Sequence, residues 1–245
     1  MGEVMFKKLF DLAINTLYPD NFTCNFCHAE IFDDNGLATC EDCDMSLPKI
    51  NGNICHRCGD LILDMATYCE ICKFEQKAFE MNRSVFLYDG DIKNAIRSFK
   101  FDNAKYWHKS FAHYLAKAYK QYDYNCDIIC YVPMYKDRQI SRGYNQSELL
   151  ATELGHILKI DVSHENLVKC KDTKNQVDLN FKQRRENLSG AFKVLDKSKF
   201  KGKNILLVDD VYTTGSTLNN CSMVLKKAGA KNVYCLTIAH AHQKD

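Results

Sequence analysis

The stretch "ILLVDDVYTTGSTL", residues 205–218, decides the fold. An apolar run ends in two adjacent aspartates, Asp209 and Asp210, and the chain then passes through Val211, Tyr212, Thr213, Thr214 and Gly215 into Ser216 and Thr217. An uninterrupted apolar run bounded by polar residues is the pattern of a strand covered on both faces, as in parallel sheets. Two carboxylates side by side at its tip repel each other, so the tip calls for cations or hydroxyl groups around it. Residues 216–230 read as a helix that stops at Gly229.

The alternation of strand and helix continues outward from this stretch. Strands are expected at 84–90, 127–134, 166–170, 191–195, 204–210 and 232–241, and helices at 92–101, 105–122 and 144–160. In the 105–122 helix, Trp107, Phe111, Leu115 and Ala118 share one face. This order predicts an α/β fold, an open, mostly parallel sheet with helices on both faces. Ligands of such sheets bind beyond the carboxyl ends of the strands, and the aspartate pair stands at such an end.

A turn from strand to helix gathers backbone N–H groups at a positive helix end, which suits an anion. Thr213, Thr214, Ser216 and Thr217 add hydroxyl donors there, and Gly215 permits close approach. The carboxylates one step back can accept hydrogen bonds from a vicinal diol. Phosphate and diol held close together describe a ribose 5-phosphate. A P-loop is excluded, because no G-x-x-x-x-G-K-[ST] occurs. A metal site of the Walker-B kind and a purely structural strand–turn–helix are the competing readings.

The cysteines mark a second region. Of 13 in the chain, eight form four C-x-x-C pairs: Cys24/Cys27, Cys40/Cys43, Cys55/Cys58 and Cys69/Cys72. Each turn aims two thiolates at one point, and two turns complete a tetrahedral zinc site. The pattern predicts a double zinc ribbon with two structural zinc ions. Sequential pairing of the turns is favoured over crossed pairing. Disulfides, a thioredoxin-type redox motif and an iron–sulfur cluster fit the spacing less well. Four cysteine ligands leave no open coordination position, so these sites are structural, and in small modules such metals stand in for a core. Cys126, Cys130, Cys170, Cys221 and Cys235 have no ligand spacing and read mostly as small buried apolar residues. His28 and His56 lie inside the knuckles and read as bystanders.

Charge divides the chain in the same place: residues 1–73 net −7 and residues 74–245 net +9, within an overall +2. A basic body suits phosphate-bearing ligands, although a solvated surface accounts for much of it equally well. No segment approaches the 18 apolar residues of a membrane span. The first residues carry Phe6, Leu9, Phe10, Ala13, Ile14 and Leu17 at helical spacing with no A-x-A-like cleavage site. The expected organisation is an amphipathic helix over 1–20, a double zinc ribbon over 21–76 and an α/β domain over 77–245, in a cytoplasmic protein.

The 205–218 stretch resembles the signature of type I phosphoribosyltransferases: an apolar strand, two acidic residues, two further residues, then T/D-T-G-x-T. "VPMYKDRQISRGYNQSELLATEL" (132–154), "RRENLSGAF" (184–192) and the four C-x-x-C pairs together resemble the ComF family of competence-associated, phosphoribosyltransferase-like proteins. The resemblance runs from Cys24 to about residue 240. The family's R-G-F-N-Q appears here as R-G-Y-N-Q, and its R-x-x-N as Arg184 and Asn187.

The resemblance implies a type I phosphoribosyltransferase-like domain that binds 5-phosphoribosyl 1-pyrophosphate (PRPP) with Mg²⁺. Residues 209–217 would hold the ribose 5-phosphate, with Asp209 and Asp210 beside the reacting carbon. Lys136, Arg138 and Arg142 follow another buried strand and suit the pyrophosphate, with Gly143 letting the backbone turn close to it. A solvated basic loop is the plainer reading of that segment. Type I enzymes carry a mobile loop between the strands that here flank 171–189, which makes Lys174, Gln176, Arg184 and Arg185 its candidate contacts and Arg184 a candidate catalytic residue. Purine enzymes of this class often place an aspartate base where Thr213 stands, so activation of a purine is not expected.

Two functions stay open at this level. One is a glycosyltransferase that moves the phosphoribosyl group to an unidentified acceptor. The other is a non-catalytic component of DNA uptake and natural transformation that senses PRPP or binds single-stranded DNA. Family resemblance implies further competence proteins, such as a helicase-like protein, as partners. Tyr135, Tyr144 and Phe181 lie near basic residues and are candidates for stacking on bases, with packing as the plainer reading.

Overall fold

The computed structural model describes residues 23–31, 36–62, 66–171 and 190–241. The helix expected over 1–20, together with Lys174, Gln176, Phe181, Arg184 and Arg185, lies outside these residues. The chain divides into two compact units, Met1–Ser46 and Leu47–Asp245. The cysteine spacing places a boundary at 76–77, whereas packing puts the second cysteine quartet in the same unit as the sheet. The physical reason is that Cys55, Cys58 and Cys72 are buried in one apolar cluster with residues of the central strands.

In the first unit, an isolated antiparallel bridge joins Thr23 and Glu30, and helix α1 (Glu41–Ser46) carries Cys43. The second unit begins with the second ribbon and its short helix α2 (Glu70–Phe74). Its sheet contains β1 (Met81–Leu87), β2 (Ile128–Tyr131), β5 (Asn204–Tyr212) and β6 (Asn232–His240). All four are parallel, in the order β1-β6-β5-β2. A single parallel bridge from Ile129 to Val162 adds to the β2 edge. Strands β3 (Leu167–Lys169) and β4 (Phe192–Val194) form a separate antiparallel pair.

Two-residue periodicity sorts the sheet's side chains. Ile205, Leu207, Val233 and Cys235 face helix α7 (Ser216–Lys227), meeting its Leu218, Cys221 and Leu225. Leu206, Val208, Leu236 and Ile238 alternate with them and are equally buried. On that second face lie helices α4 (Trp107–Gln121) and α6 (Gln146–Leu158), which pack on each other and on the strands. Helix α3 (Gly90–Phe101) packs on α4, and Trp107 Nε1 donates to Ser98 Oγ at 3.0 Å. Trp107, Phe111, Leu115 and Ala118 of α4 are all buried, as their spacing predicts. A large side chain such as Phe111 or Leu115 contributes on the order of 1.5–3 kcal/mol by leaving water. Cys126, Cys130, Cys221 and Cys235 are buried, whereas Cys170 is exposed.

Several elements differ from the sequence reading: β1 spans Met81–Leu87 rather than 84–90, and β2 stops at Tyr131 rather than at 134. Strand β5 does not stop at Asp210, because Val211 and Tyr212 continue the ladder opposite Ala239 and His240. The basic segment after β2 is not a loop: Lys136–Arg142 forms helix α5. Gly143 ends it in the left-handed region, at φ 85°, where its N–H bonds to the Gln139 carbonyl at 2.7 Å.

Candidate ligand-binding site

The carboxyl ends of β2 and β5 border a cleft of about 320 Å³. Lys100, Arg138, Arg142, Ser147, Asp209 and Asp210 are among its walls. The adjacent carboxylates are held in different ways. Asp209 accepts from the Ser147 hydroxyl at 2.8 Å and from the Asp210 N–H at 2.9 Å. Burial, and next the charge of Asp210, push the Asp209 carboxyl up to about 7. Asp210 instead pairs with Lys100, whose Nζ lies 2.8 Å from Asp210 Oδ1. Burial works against the Lys100 charge, but Asp210 and then Asp209 outweigh it, and its pKa is raised. One cation thus serves both carboxylates, which answers the repulsion evident in the sequence.

Lys100 was not among the residues singled out from the sequence, and neither was Lys169, which also lines the cleft. A signal for Lys100 exists. The buried positions of α3 are Ile92, Ala95, Ile96 and Phe99, and Lys100 follows Ile96 by one helical repeat. A lysine placed on an apolar stripe needs a partner, and Asp210 supplies it.

The R-G-Y-N-Q segment fixes the cleft's other wall. Arg142 donates to Gln146 Oε1 at 2.8 Å and lies over the Phe101 ring, 5.0 Å from its centroid. Burial lowers its pKa. The Tyr144 hydroxyl and the Gln146 amide both donate to the Phe99 carbonyl at the end of α3. Asn145 caps α6, its Oδ1 accepting from Ser147 N–H at 3.1 Å, while its Nδ2 donates to the Val132 carbonyl at 3.1 Å. One asparagine therefore joins the end of β2 to the start of the helix that carries Ser147. Tyr144 is buried, so the packing reading holds for it, whereas Tyr135 lines the cleft.

Beyond the aspartates, Thr214 Oγ1 and Ser216 Oγ lie 2.8 Å apart at the start of α7, and Thr217 lines the cleft. Thr213 is exposed. Gly215 is needed for a reason beyond ligand approach. It caps α7 at φ 71°, and a Cβ there would stand 2.3 Å from the Tyr212 hydroxyl.

The basic residues expected to act together are divided. Arg138 and Arg142 border the cleft, whereas Lys136 and Gly143 line a neighbouring cavity of about 720 Å³. Pro133, Met134, Asn145 and Lys169 form a wall common to both. A Cβ on Gly143 would meet nothing within 4 Å, so its glycine serves the helix end rather than a close approach.

The cysteines gather in sequential pairs: Cys24, Cys27, Cys40 and Cys43 in one quartet, and Cys55, Cys58, Cys69 and Cys72 in the other. The sulfur atoms of each quartet lie within 4.8 Å of one another. Cys27 and Cys40 sulfurs are 3.6 Å apart, as are those of Cys58 and Cys69. A zinc tetrahedron with Zn–S bonds of about 2.3 Å has edges of roughly 3.8 Å. The two quartets fit two zinc ribbon sites, and neither His28 nor His56 belongs to them.

Comparison with known proteins agrees with both halves of this geometry. The family described as "Double zinc ribbon domain" matches residues 13–73, and that described as "Phosphoribosyl transferase domain" matches residues 146–245. Competence protein F of Haemophilus influenzae is 31% identical over 228 residues, 90% of this chain and 98% of that protein. Competence protein ComFC of Streptococcus pneumoniae is 31% identical over 79% of this chain and 84% of its own length. The chain belongs to the ComF family. DNA utilization protein YhgH of Escherichia coli O157:H7 is 36% identical over 112 residues, 45% of this chain and 48% of that protein. Among solved structures, adenine phosphoribosyltransferase from Thermoanaerobacter pseudethanolicus is similar at 12% identity with a TM-score of 0.37, covering 56% of this chain and 82% of that one. In this ComF-family chain the fold is a type I phosphoribosyltransferase-like parallel sheet with an N-terminal double zinc ribbon. No helix among the described residues is long and apolar enough to cross a membrane.

Proposed function

We propose that this ComF-family chain binds PRPP, with Mg²⁺ as part of that substrate, in the cleft at the carboxyl ends of β2 and β5. The observation that carries the reading is the aspartate pair at the β5 end, bordered by cations on one side and a hydroxyl-lined turn on the other. Asp209 and Asp210 take the ribose diol. The N–H groups and hydroxyls of 213–217 take the 5-phosphate. Arg138, Arg142 and Lys169 offset the charge of the pyrophosphate as the bond to the anomeric carbon breaks. These groups suit a sugar phosphorylated at two positions, and the reaction class is pentosyl transfer to an acceptor. Relatives named for competence and for DNA utilization support a role in DNA uptake.

Calorimetric titration of the zinc-loaded protein with PRPP and Mg²⁺ tests this. The wild type is expected to bind, and the Asp209→Ala/Asp210→Ala protein is expected not to. No binding by the folded wild type overturns the reading.

One observation favours single-stranded DNA as a second ligand class. Phe101 is 69% exposed and carries the Arg142 guanidinium over its ring, a small platform for base stacking beside phosphate-binding groups. Strongly salt-dependent binding of an oligonucleotide, lost in Phe101→Ala, is its signature.

A further inference from the structure

The second cysteine quartet lies against the sheet on the same side as α7, and its turns make specific contacts. The Asn82 side-chain amide donates to the Cys58 carbonyl at 2.9 Å, and the Asn82 N–H donates to the Arg57 carbonyl at 2.7 Å. Arg83 donates to the His56 carbonyl at 3.0 Å. At Gly59, φ 78°, a Cβ would stand 2.8 Å from the Asn82 carbonyl oxygen, so the knuckle touches the backbone of β1.

Asp60 follows directly. Its Oδ1 lies 3.5 Å from His240 Nε2, at the carboxyl end of β6. The His240 ring stacks on Tyr212, its partner across the β5–β6 ladder, with centroids 4.6 Å apart and planes at 24°. Both rings are almost fully buried. The Tyr212 hydroxyl fills the space where a Cβ of Gly215 would stand. Gly215 caps α7 within the proposed phosphate turn, residues 213–217. Three contacts in series thus run from Asp60, beside the quartet, to the turn: Asp60 to His240, His240 to Tyr212 and Tyr212 to Gly215.

We infer that Asp60 is a positioning residue for the ligand turn, acting through His240 and Tyr212. The second cysteine quartet is then part of the ligand site's mounting. The ligand part of this inference rests on the proposed PRPP site; the mechanical part does not. The chemistry is that of a buried aromatic stack held in one orientation. The Asp60 carboxylate stands 3.5 Å from the imidazole Nε2, the imidazole stacks on the phenol ring, and the ring backs the glycine. Removing the carboxylate frees the imidazole to turn and withdraws support from residues 214–216.

The test uses the full zinc-loaded chain and three readouts: zinc content, the backbone amide resonances of Thr214 and Gly215, and the affinity for PRPP with Mg²⁺. Asp60→Ala is expected to keep both metals, to shift the two amides and to weaken PRPP about tenfold, about 1.4 kcal/mol. Asp60→Asn keeps an acceptor oxygen and is expected to restore both the amide positions and most of the affinity. A role confined to folding of the ribbon predicts lost zinc and no such rescue. Unmoved amides in a folded, zinc-replete Asp60→Ala protein overturn the inference. Moved amides in a protein whose wild type ignores PRPP uphold the positioning role and overturn the proposed ligand.

Discussion

Lys100 Nζ and Asp210 Oδ1 lie 2.8 Å apart, a contact between the last turn of α3 and the tip of β5 across 110 positions of sequence. The lysine side chain is 21% exposed and the aspartate 13%, so water screens the pair only partly. Its removal leaves two adjacent carboxylates with no ammonium between them. Lys100→Met is expected to destabilise the fold by about 2 kcal/mol at pH 8, between the values for exposed and buried pairs. Urea denaturation measures it. The loss is expected to shrink at pH 5, where Asp209 is protonated and the repulsion is gone.

Asp209 makes a separate prediction with a definite sign. Its carboxyl is pushed up to about 7, first by burial and then by Asp210. An unfolded aspartate titrates near 3.9. Between these values the native state holds a proton that the unfolded state has released, so the group's contribution to stability is full below about pH 4 and lost as pH rises through about 7. Asp209→Asn, which mimics the protonated form, is expected to stabilise the protein at pH 8 relative to wild type and to lose that advantage at pH 4. Denaturation midpoints across this range report the sign. The same substitution is expected to weaken PRPP binding, so stability and affinity move in opposite directions.

The Ser147 hydroxyl is the donor that keeps Asp209 from titrating higher still, since its hydrogen bond favours the carboxylate. Ser147→Ala is expected to raise the Asp209 titration above its wild-type midpoint and to cost about 1–2 kcal/mol at pH 8. Carbon NMR of the Asp209 carboxyl reads the midpoint directly. An unchanged midpoint would mean the 2.8 Å contact carries no weight.

The parts legible in the sequence are those governed by local pattern. The apolar run ending at Asp209, the spacing of Trp107, Phe111, Leu115 and Ala118, and the four C-x-x-C turns each determine their own surroundings, and the sheet and quartets follow. Helix α5 was not legible, because "KDRQISR" has no apolar stripe to announce it; none of its residues is buried. The extension of β5 through Tyr212 depends on β6, a pairing that no local run declares. Lys100 was missed for a related reason. The amphipathic pattern of α3 was visible, but the aspartate that accounts for a lysine on its apolar face comes from a distant strand. The Asp60–His240–Tyr212 series joins three segments that only the folded sheet brings together, which is why the second ribbon reads in sequence as a separate module.

Gly215 offers the sharpest steric test. It sits at φ 71°, where a side chain is strained, and a Cβ would stand 2.3 Å from the Tyr212 hydroxyl oxygen and 2.6 and 2.8 Å from two of its ring carbons. Gly215→Ala is expected to destabilise the protein by about 2–3 kcal/mol, the cost of overpacking combined with a left-handed alanine. It is also expected to abolish PRPP binding, because the displaced atom is the starting point of α7. Shortening the obstacle to Tyr212→Phe removes only the hydroxyl, and the ring carbons still collide. The double variant is therefore expected to stay close to Gly215→Ala in thermal midpoint, whereas Tyr212→Leu in the same background, which removes the ring, is expected to recover part of the loss. Full recovery with phenylalanine would show that the hydroxyl alone sets the clash and that the ring is free to move away, contrary to its stacking on His240.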